Sequence, residues 1–245
     1  MEGKWSIKHS DNYIFHYIKD SLGEKDIENI INIQEQCNKH ISKVLKVSMK
    51  GKIKYFLCNS REEVGVSYGD NEPCSGFSRM PNEIWAVYNE KNKCIGYHED
   101  AHIISYNTLG VPESTFIREG LAMYFDRVWF GIDNNFWVHE YLKRNKYVSI
   151  TDLINNKEFS KYSDILTYPI AGAFTEYLIS LFGIERFKGF YVQLSSLRNI
   201  GFEKNFKEVF QQSVEEVEEK FKSYILSIRP NDAIEKEIVQ YISNF

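Results

Sequence analysis

The sequence predicts an α+β protein: a small mixed N-terminal sheet with helices, followed by a mainly helical C-terminal half. Three observations carry this. Short runs rich in aromatic and β-branched residues fall in the first ninety positions. From residue 94 onward apolar residues recur at helical spacing. The apolar fraction of 43% and charged fraction of 26% over 245 residues supply a sizeable core. The chain reads as one domain, 1–245, with a mixed subdomain over 1–93 and a helical one over 94–245.

Taken in order, residues 4–18 alternate and carry Trp5, Ile7, Tyr13, Phe15 and Tyr17, a strand or hairpin. Residues 24–47 place Ile27, Ile30, Ile31, Ile41, Val44 and Leu45 along a long amphipathic helix. Ile53 to Leu57 reads as a short buried strand and Arg61 to Val66 as a short helix. Gly65, Gly69, Pro73 and Gly76 punctuate a loop. Glu83 to Tyr88, EIWAVY, is the next strand, and a helix over about 94–108 follows. Leu109-Gly110-Val111-Pro112 turns the chain into a helix from Ser114 to Trp129. Tyr168 to Phe182 is another, with Pro169 suited to its first turn and Gly183 to its stop. Residues 185–198 and 203–227 complete the set. The acidic cluster Glu215, Glu216, Glu218 and Glu219 in the last helix reads as a solvated face.

Composition narrows the function. A net charge of −4 and a pI near 5.9 give no basic excess of the kind a nucleic-acid domain shows. The N-terminus MEGKWSIKHSDNYIF has no apolar signal-type core, and no run approaches the roughly 18 apolar residues of a membrane span. The expectation is a cytoplasmic protein without membrane or nucleic-acid partners; the sequence leaves the oligomeric state open. Cys37, Cys58, Cys74 and Cys94 form no CxxC pair, so they read as reduced, partly buried thiols, with room for one disulfide.

The chemistry concentrates in His98-Glu99-Asp100-Ala101-His102. Residues four apart share a helix face, so His98 and His102 can point two imidazoles at one ion. Glu99 lies about 100° around the helix, placed to reach a water on that ion without ligating it. By composition such a pattern arises somewhere in this chain roughly 0.01 times. A catalytic zinc site uses three protein ligands and leaves a position for water. Glu119, in ESTFIREGLAMYFDRV, is the candidate third ligand. It falls in the first two turns of its helix, with Gly120 allowing close approach. The helix macrodipole also favours acids there, although Glu113 suits that role better. His139 is the alternative ligand, but Trp137 and Val138 beside it indicate a packed segment. Asp100 and Asp126 are candidate acceptors for the second ring N–H of the histidines. Tyr168 precedes Pro169 and is expected at a helix N-terminus, where an oxyanion is favoured.

HEDAH followed by REGLAMYF resembles the gluzincin metallopeptidases, whose zinc is held by two His and a downstream Glu in a glutamate-glycine-x-alanine context. TYPIAGAFTEYLISLFGIERFKGF is similar to the helix after the zinc site in the aminopeptidase M1-like and peptidase MA-like groups. The resemblance covers roughly residues 82–190. It implies a zincin-like architecture and one Zn2+ per chain on His98, His102 and Glu119. It also implies Glu99 as general base, Tyr168 as hydrogen-bond donor to the tetrahedral intermediate, and Tyr177 as a packing residue. The substrate would be a peptide or protein. The motif with which M1 aminopeptidases grip a free N-terminus is absent; SGFSRMPNEIWAVY stands before HEDAH instead, so the aminopeptidase label is not carried over. The His-to-Glu spacing is also slightly shorter than in M1 enzymes. A metal-dependent hydrolase of a non-peptide amide or ester, and a non-catalytic peptide-binding module, are the competing readings. EIWAVY would offer an edge for peptide pairing, with Trp85 and Tyr88 as possible contacts.

Overall fold

The computed structural model describes residues 5–197 and 199–243. Lys4, the first residue of the expected N-terminal strand, and Arg198, the last of the expected helix 185–198, lie outside them. The chain forms two compact units, the first ending at Thr108 and the second beginning at Leu109. The mixed sheet is in the first and the second is almost wholly helical.

In the first unit β1 (Trp5–His9) and β2 (Tyr13–Ile18) make an antiparallel hairpin. β3 (Ile53–Cys58) runs parallel to β2, and β5 (Glu83–Val87) parallel to β3. β4 (Gly76–Arg79) closes the sheet antiparallel to β5, giving the order β1-β2-β3-β5-β4. The period-2 pattern divides the faces. Tyr13, Phe15, Ile53, Tyr55, Leu57, Ile84 and Ala86 are buried on one. On the other, the register lines up Ile7, His16, Phe56, Trp85 and Phe77 across all five strands. Phe56 and Trp85 stack with centroids 3.9 Å apart.

Two expectations change here. EIWAVY is an interior strand, hydrogen-bonded on both sides, so it has no free edge; the edges belong to β1 and to β4, the latter where the sequence predicts a loop. Tyr88 is buried and donates its hydroxyl to Asp26, so it faces no substrate.

Helix α1 (Leu22–Lys25) precedes α2 (Ile27–Leu45), which buries Ile27, Ile30, Ile41 and Leu45 as the periodicity predicts. Helix α3 (Arg61–Tyr68) runs past Gly65. There a Cβ would meet the Glu72 carbonyl oxygen at 2.0 Å, so that glycine serves close approach rather than a turn. Helix α4 (His98–Thr108) starts at His98 instead of 94. The Cys94 amide is bonded to the Val87 carbonyl, and Gly96 has φ +136°, so the chain is tied to β5 and then bends before the helix begins.

In the second unit α5 (Thr115–Asp126) stops short of Trp129, because Arg127 adopts a left-handed φ of 64° and caps the helix. β6 (Val128–Trp129) and β7 (Ile132–Asp133) follow as a hairpin. Its loop residues Phe130 and Gly131 both have positive φ, which suits a two-residue turn. Helices α6 (Asn134–Lys143), α7 (Ile150–Leu153) and α8 (Asn156–Phe159) lead to α9 (Asp164–Phe182). Helix α9 is long and apolar enough to span a membrane by length and composition, contrary to the sequence expectation. Its apolarity is met inside the unit, where it packs against α5 and α6 and buries Ile170, Ala171, Ala173, Phe174 and Leu178.

Helix α9 begins at Asp164, capped by Ser163, so Pro169 lies in its second turn. Pro169 has no N–H for the Ile165 carbonyl; the Tyr141 hydroxyl donates to that oxygen instead. Gly183, φ 84°, ends the helix as expected. Helix α10 (Ile184–Leu194) follows.

The single helix expected over 203–227 is two, α11 (Phe202–Phe210) and α12 (Val214–Ser227). Gln211 turns left-handed, and Ser213 with Glu216 forms a capping box that starts a new helix. Glu218 leaves the solvated face: it is 3% exposed and accepts hydrogen bonds from the Tyr147 hydroxyl and the Ile150 amide. Helix α13 (Asp232–Ile242) closes the described chain.

Helices α5 and α9 approach closely because glycines face the contact. A Cβ on Gly120 would meet Thr175 Oγ1 at 2.4 Å and the Ala171 carbonyl oxygen at 2.9 Å; one on Gly172 would meet Met123 Cβ at 2.6 Å. Gly120→Ala is expected to destabilise the protein by about 1–3 kcal/mol through overpacking. Urea unfolding followed by circular dichroism checks this, and an unchanged midpoint would refute the close-packing account.

Candidate metal centre

His98, Glu99 and His102 lie in the first unit, all on α4. The imidazoles of His98 and His102 lie with centroids 5.0 Å apart and planes at 86°. That separation suits two nitrogens reaching one ion at about 2.0–2.1 Å. His102 is 6% exposed and its ring stacks on Tyr106, one turn further on, at 5.3 Å. A contact of this kind limits rotation of a ring that must present one nitrogen.

Glu99 projects toward β4. Its Oε1 lies 3.5 Å from where a Cβ on Gly76 would stand. A side chain at position 76 would therefore crowd the carboxylate, and glycine keeps the strand close to it. The sequence predicts a loop at Gly76, where the structure has a strand; a glycine inside a strand signals close backbone approach.

Asp100 points the opposite way, into the unit. It is fully buried, and its Oδ2 accepts from the Tyr13 hydroxyl and from Gln34 Nε2, the latter at 3.0 Å. Burial pushes the Asp100 carboxyl well above the usual carboxylate range, and the two hydrogen bonds only partly oppose it. Gln34 also accepts from the Gly96 amide at 2.9 Å and donates to the Gly96 carbonyl at 3.1 Å. Asp100 is thus committed to Tyr13 and Gln34 and is not the acceptor for the histidine rings. The sequence marks Tyr13 only as a strand residue and Gln34 not at all, because their role depends on contacts with residues far along the chain.

Glu119 and Tyr168 lie in the second unit. Glu119 is the fifth residue of α5, within its first two turns as expected, and half-buried. The next residue, Gly120, is pressed against α9. Glu113 precedes the helix cap Ser114; it is exposed, and its carboxylate accepts from Asn199 Nδ2 at 3.2 Å. His139 is set aside as a ligand. On α6 its Nδ1 lies 3.2 Å from buried Glu140, which also pairs with Arg144 at 3.0 Å, a structural ion network. Trp137 and Val138 beside it are fully buried. Asp126 is the last residue of α5.

Tyr168 sits one turn inside α9, not at its head. The helix-terminus field is confined to the first turn, so that argument for its role falls away. Its ring lies between those of Trp129, at 5.2 Å, and Phe159, at 6.4 Å. Tyr177 packs on Phe221 and Tyr224 at 5.5 and 5.3 Å, the role the sequence indicates.

Within the first unit, His98 and His102 place two imidazoles where both could serve one metal ion. Two imidazoles and one carboxylate are a donor set of catalytic zinc, with a fourth position left for water.

Gln34→Leu would remove partners from both Asp100 and the Gly96 amide. The expected loss is about 1–3 kcal/mol for the buried groups left unpaired. Chemical denaturation measures it, and a neutral result would show that α4 is held by its apolar contacts alone. No protein-family model and no curated protein matches the chain.

Proposed function

We propose that this chain is a zinc-dependent peptidase of gluzincin type. The observation that carries the reading is the imidazole pair, 5.0 Å apart on one face of α4, with Glu99 next to it against the edge strand. His98, His102 and Glu119 hold the zinc. When bound, the metal supplies Lewis acidity, polarising the scissile carbonyl and acidifying water. Glu99 then accepts the proton of the attacking water and passes it to the leaving amine. Tyr168 donates its hydroxyl to the oxyanion. Its place in this scheme rests on the family resemblance.

A peptide substrate is favoured over a non-peptide amide or ester by β4. It is one of the two edge strands of the sheet, and its Gly76 lies beside Glu99. An extended peptide added to that edge would gain main-chain hydrogen bonds and pass the general base.

Metal content by plasma mass spectrometry is the first test. About one zinc per chain is expected in the wild type and far less in Glu119→Ala; no zinc after reconstitution would end the reading. Glu99→Gln is expected to keep its zinc and lose cleavage of a peptide library. Tyr168→Phe should also retain zinc and lose about 10²–10³ in kcat; unaltered turnover would return this tyrosine to a packing role.

A further inference from the structure

Of the four cysteines, Cys37 and Cys58 are buried, whereas Cys74 and Cys94 are only half-buried. The backbone brings these last two to one place. The Val87 amide donates to the Ser75 carbonyl and the Val87 carbonyl accepts from the Cys94 amide, each at 2.9 Å. The N–H and C=O of one residue in an antiparallel pairing point to the same edge. The chain next to Cys74 and the chain at Cys94 therefore lie side by side along β5. Both side chains pack on the same small cluster, Cys58, Val64, Phe77 and Val87. Cys74 Sγ donates to the Gly76 carbonyl at 3.0 Å. Gly76 is the residue that faces Glu99, and Cys94 stands four positions before His98.

We propose that Cys74 and Cys94 are a redox pair that closes reversibly to a disulfide beside Glu99. The oxidant is a low-molecular-weight disulfide. One cysteine thiolate attacks a sulfur of that disulfide, forming a mixed disulfide and expelling one small thiolate. The second cysteine attacks the mixed disulfide at the protein sulfur and expels the other small thiolate. Two protein S–H bonds are lost and one S–S bond forms. The oxidant is reduced to two thiols, which take up both protons. Closure brings the Cα atoms to about 4.4–6.8 Å of one another, and Ser75, the neighbour of Cys74, shares Val87 as a backbone partner with Cys94. The bond would fasten the entry of β4 to the segment leading into α4. This modification does not depend on the zinc reading.

Selectivity follows from exposure. Cys58 shares the cluster but is 1% exposed, so a dissolved oxidant cannot reach it. Burial pushes both half-buried thiols up. Around Cys74 the charge of Glu99 and Asp70 adds to this, and a hydrogen bond with the Gly76 backbone and the charge of Arg61 oppose it. Around Cys94, Cys74 and Glu99 add to it, and Ser75 and Arg61 oppose it. The thiolate fraction at neutral pH is therefore small, and closure is slow there and faster in mild alkali.

The test treats the full chain with excess oxidised glutathione in mild alkali, followed by intact-mass and non-reducing peptide mapping. The expected product lacks two hydrogens, contains a peptide joining Cys74 to Cys94, and reverts with dithiothreitol. Cys74→Ser and Cys94→Ser should each instead carry one glutathione on the remaining thiol, with an unchanged circular dichroism spectrum. Stable glutathione adducts on both wild-type thiols, a link to Cys37 or Cys58, or no reaction would each overturn the proposal.

Discussion

A carboxyl group with no access to water sits behind the two histidines. Asp100 is held by a hydroxyl from β2 and an amide from α2, and the same amide side chain clamps Gly96 just before α4 begins. Apolar contacts such as those of Ile103 and Ile104 are non-directional and would tolerate some rotation of the helix about its axis. Hydrogen bonds weaken steeply with angle, so two converging on one carboxyl fix that rotation. With Asp100 locked inward, His98 and His102 share another face and Glu99 faces β4. The alternation within five residues thus becomes three directions: one for anchorage, one for a ligand pair, one for a base.

The anchorage is expensive. Burial alone would exclude a charged Asp100, and the hydrogen bonds do not restore its ordinary acidity. Tyr13 is pushed upward as well, first by its own burial and then by Asp100. Such a network is stable only when its members are satisfied together. Precision in α4 is therefore obtained at a cost in stability, a pattern common where side chains must be placed to fractions of an ångström.

In the second unit the controlling constraint is steric. Gly120 and Gly172 remove side chains from the α5–α9 contact, and the helix from Asp164 to Phe182 buries an unbroken run from Pro169 to Thr175 there. A proline inside that helix is accommodated because Tyr141 takes over the carbonyl it leaves without a partner. Glu218 shows the same logic with an acid: within an exposed-looking run EEVEE, one carboxylate is drawn in to receive a hydroxyl and a backbone amide.

Local pattern determined much of this protein. The spacing of HEDAH, the alternation in IKYFLC and EIWAVY, the amphipathic stripe of α2 and the glycine stop after Phe182 are short-range signals, and each specifies an element within a few residues. Sequence alone thus established an α+β order and named the group His98, His102 and Glu119. Other features were decided only by tertiary structure. β4 is four residues long and becomes a strand because β5 offers it a partner. α4 starts late because Cys94 and Gly96 are tied to β5 and to Gln34. Asp100 and Glu218 are interior because partners distant in the chain compensate their burial, and sequence spacing carries no record of such partners. Periodicity reports which way a side chain points along its own element, whereas the cost of burying a polar group depends on what stands opposite it.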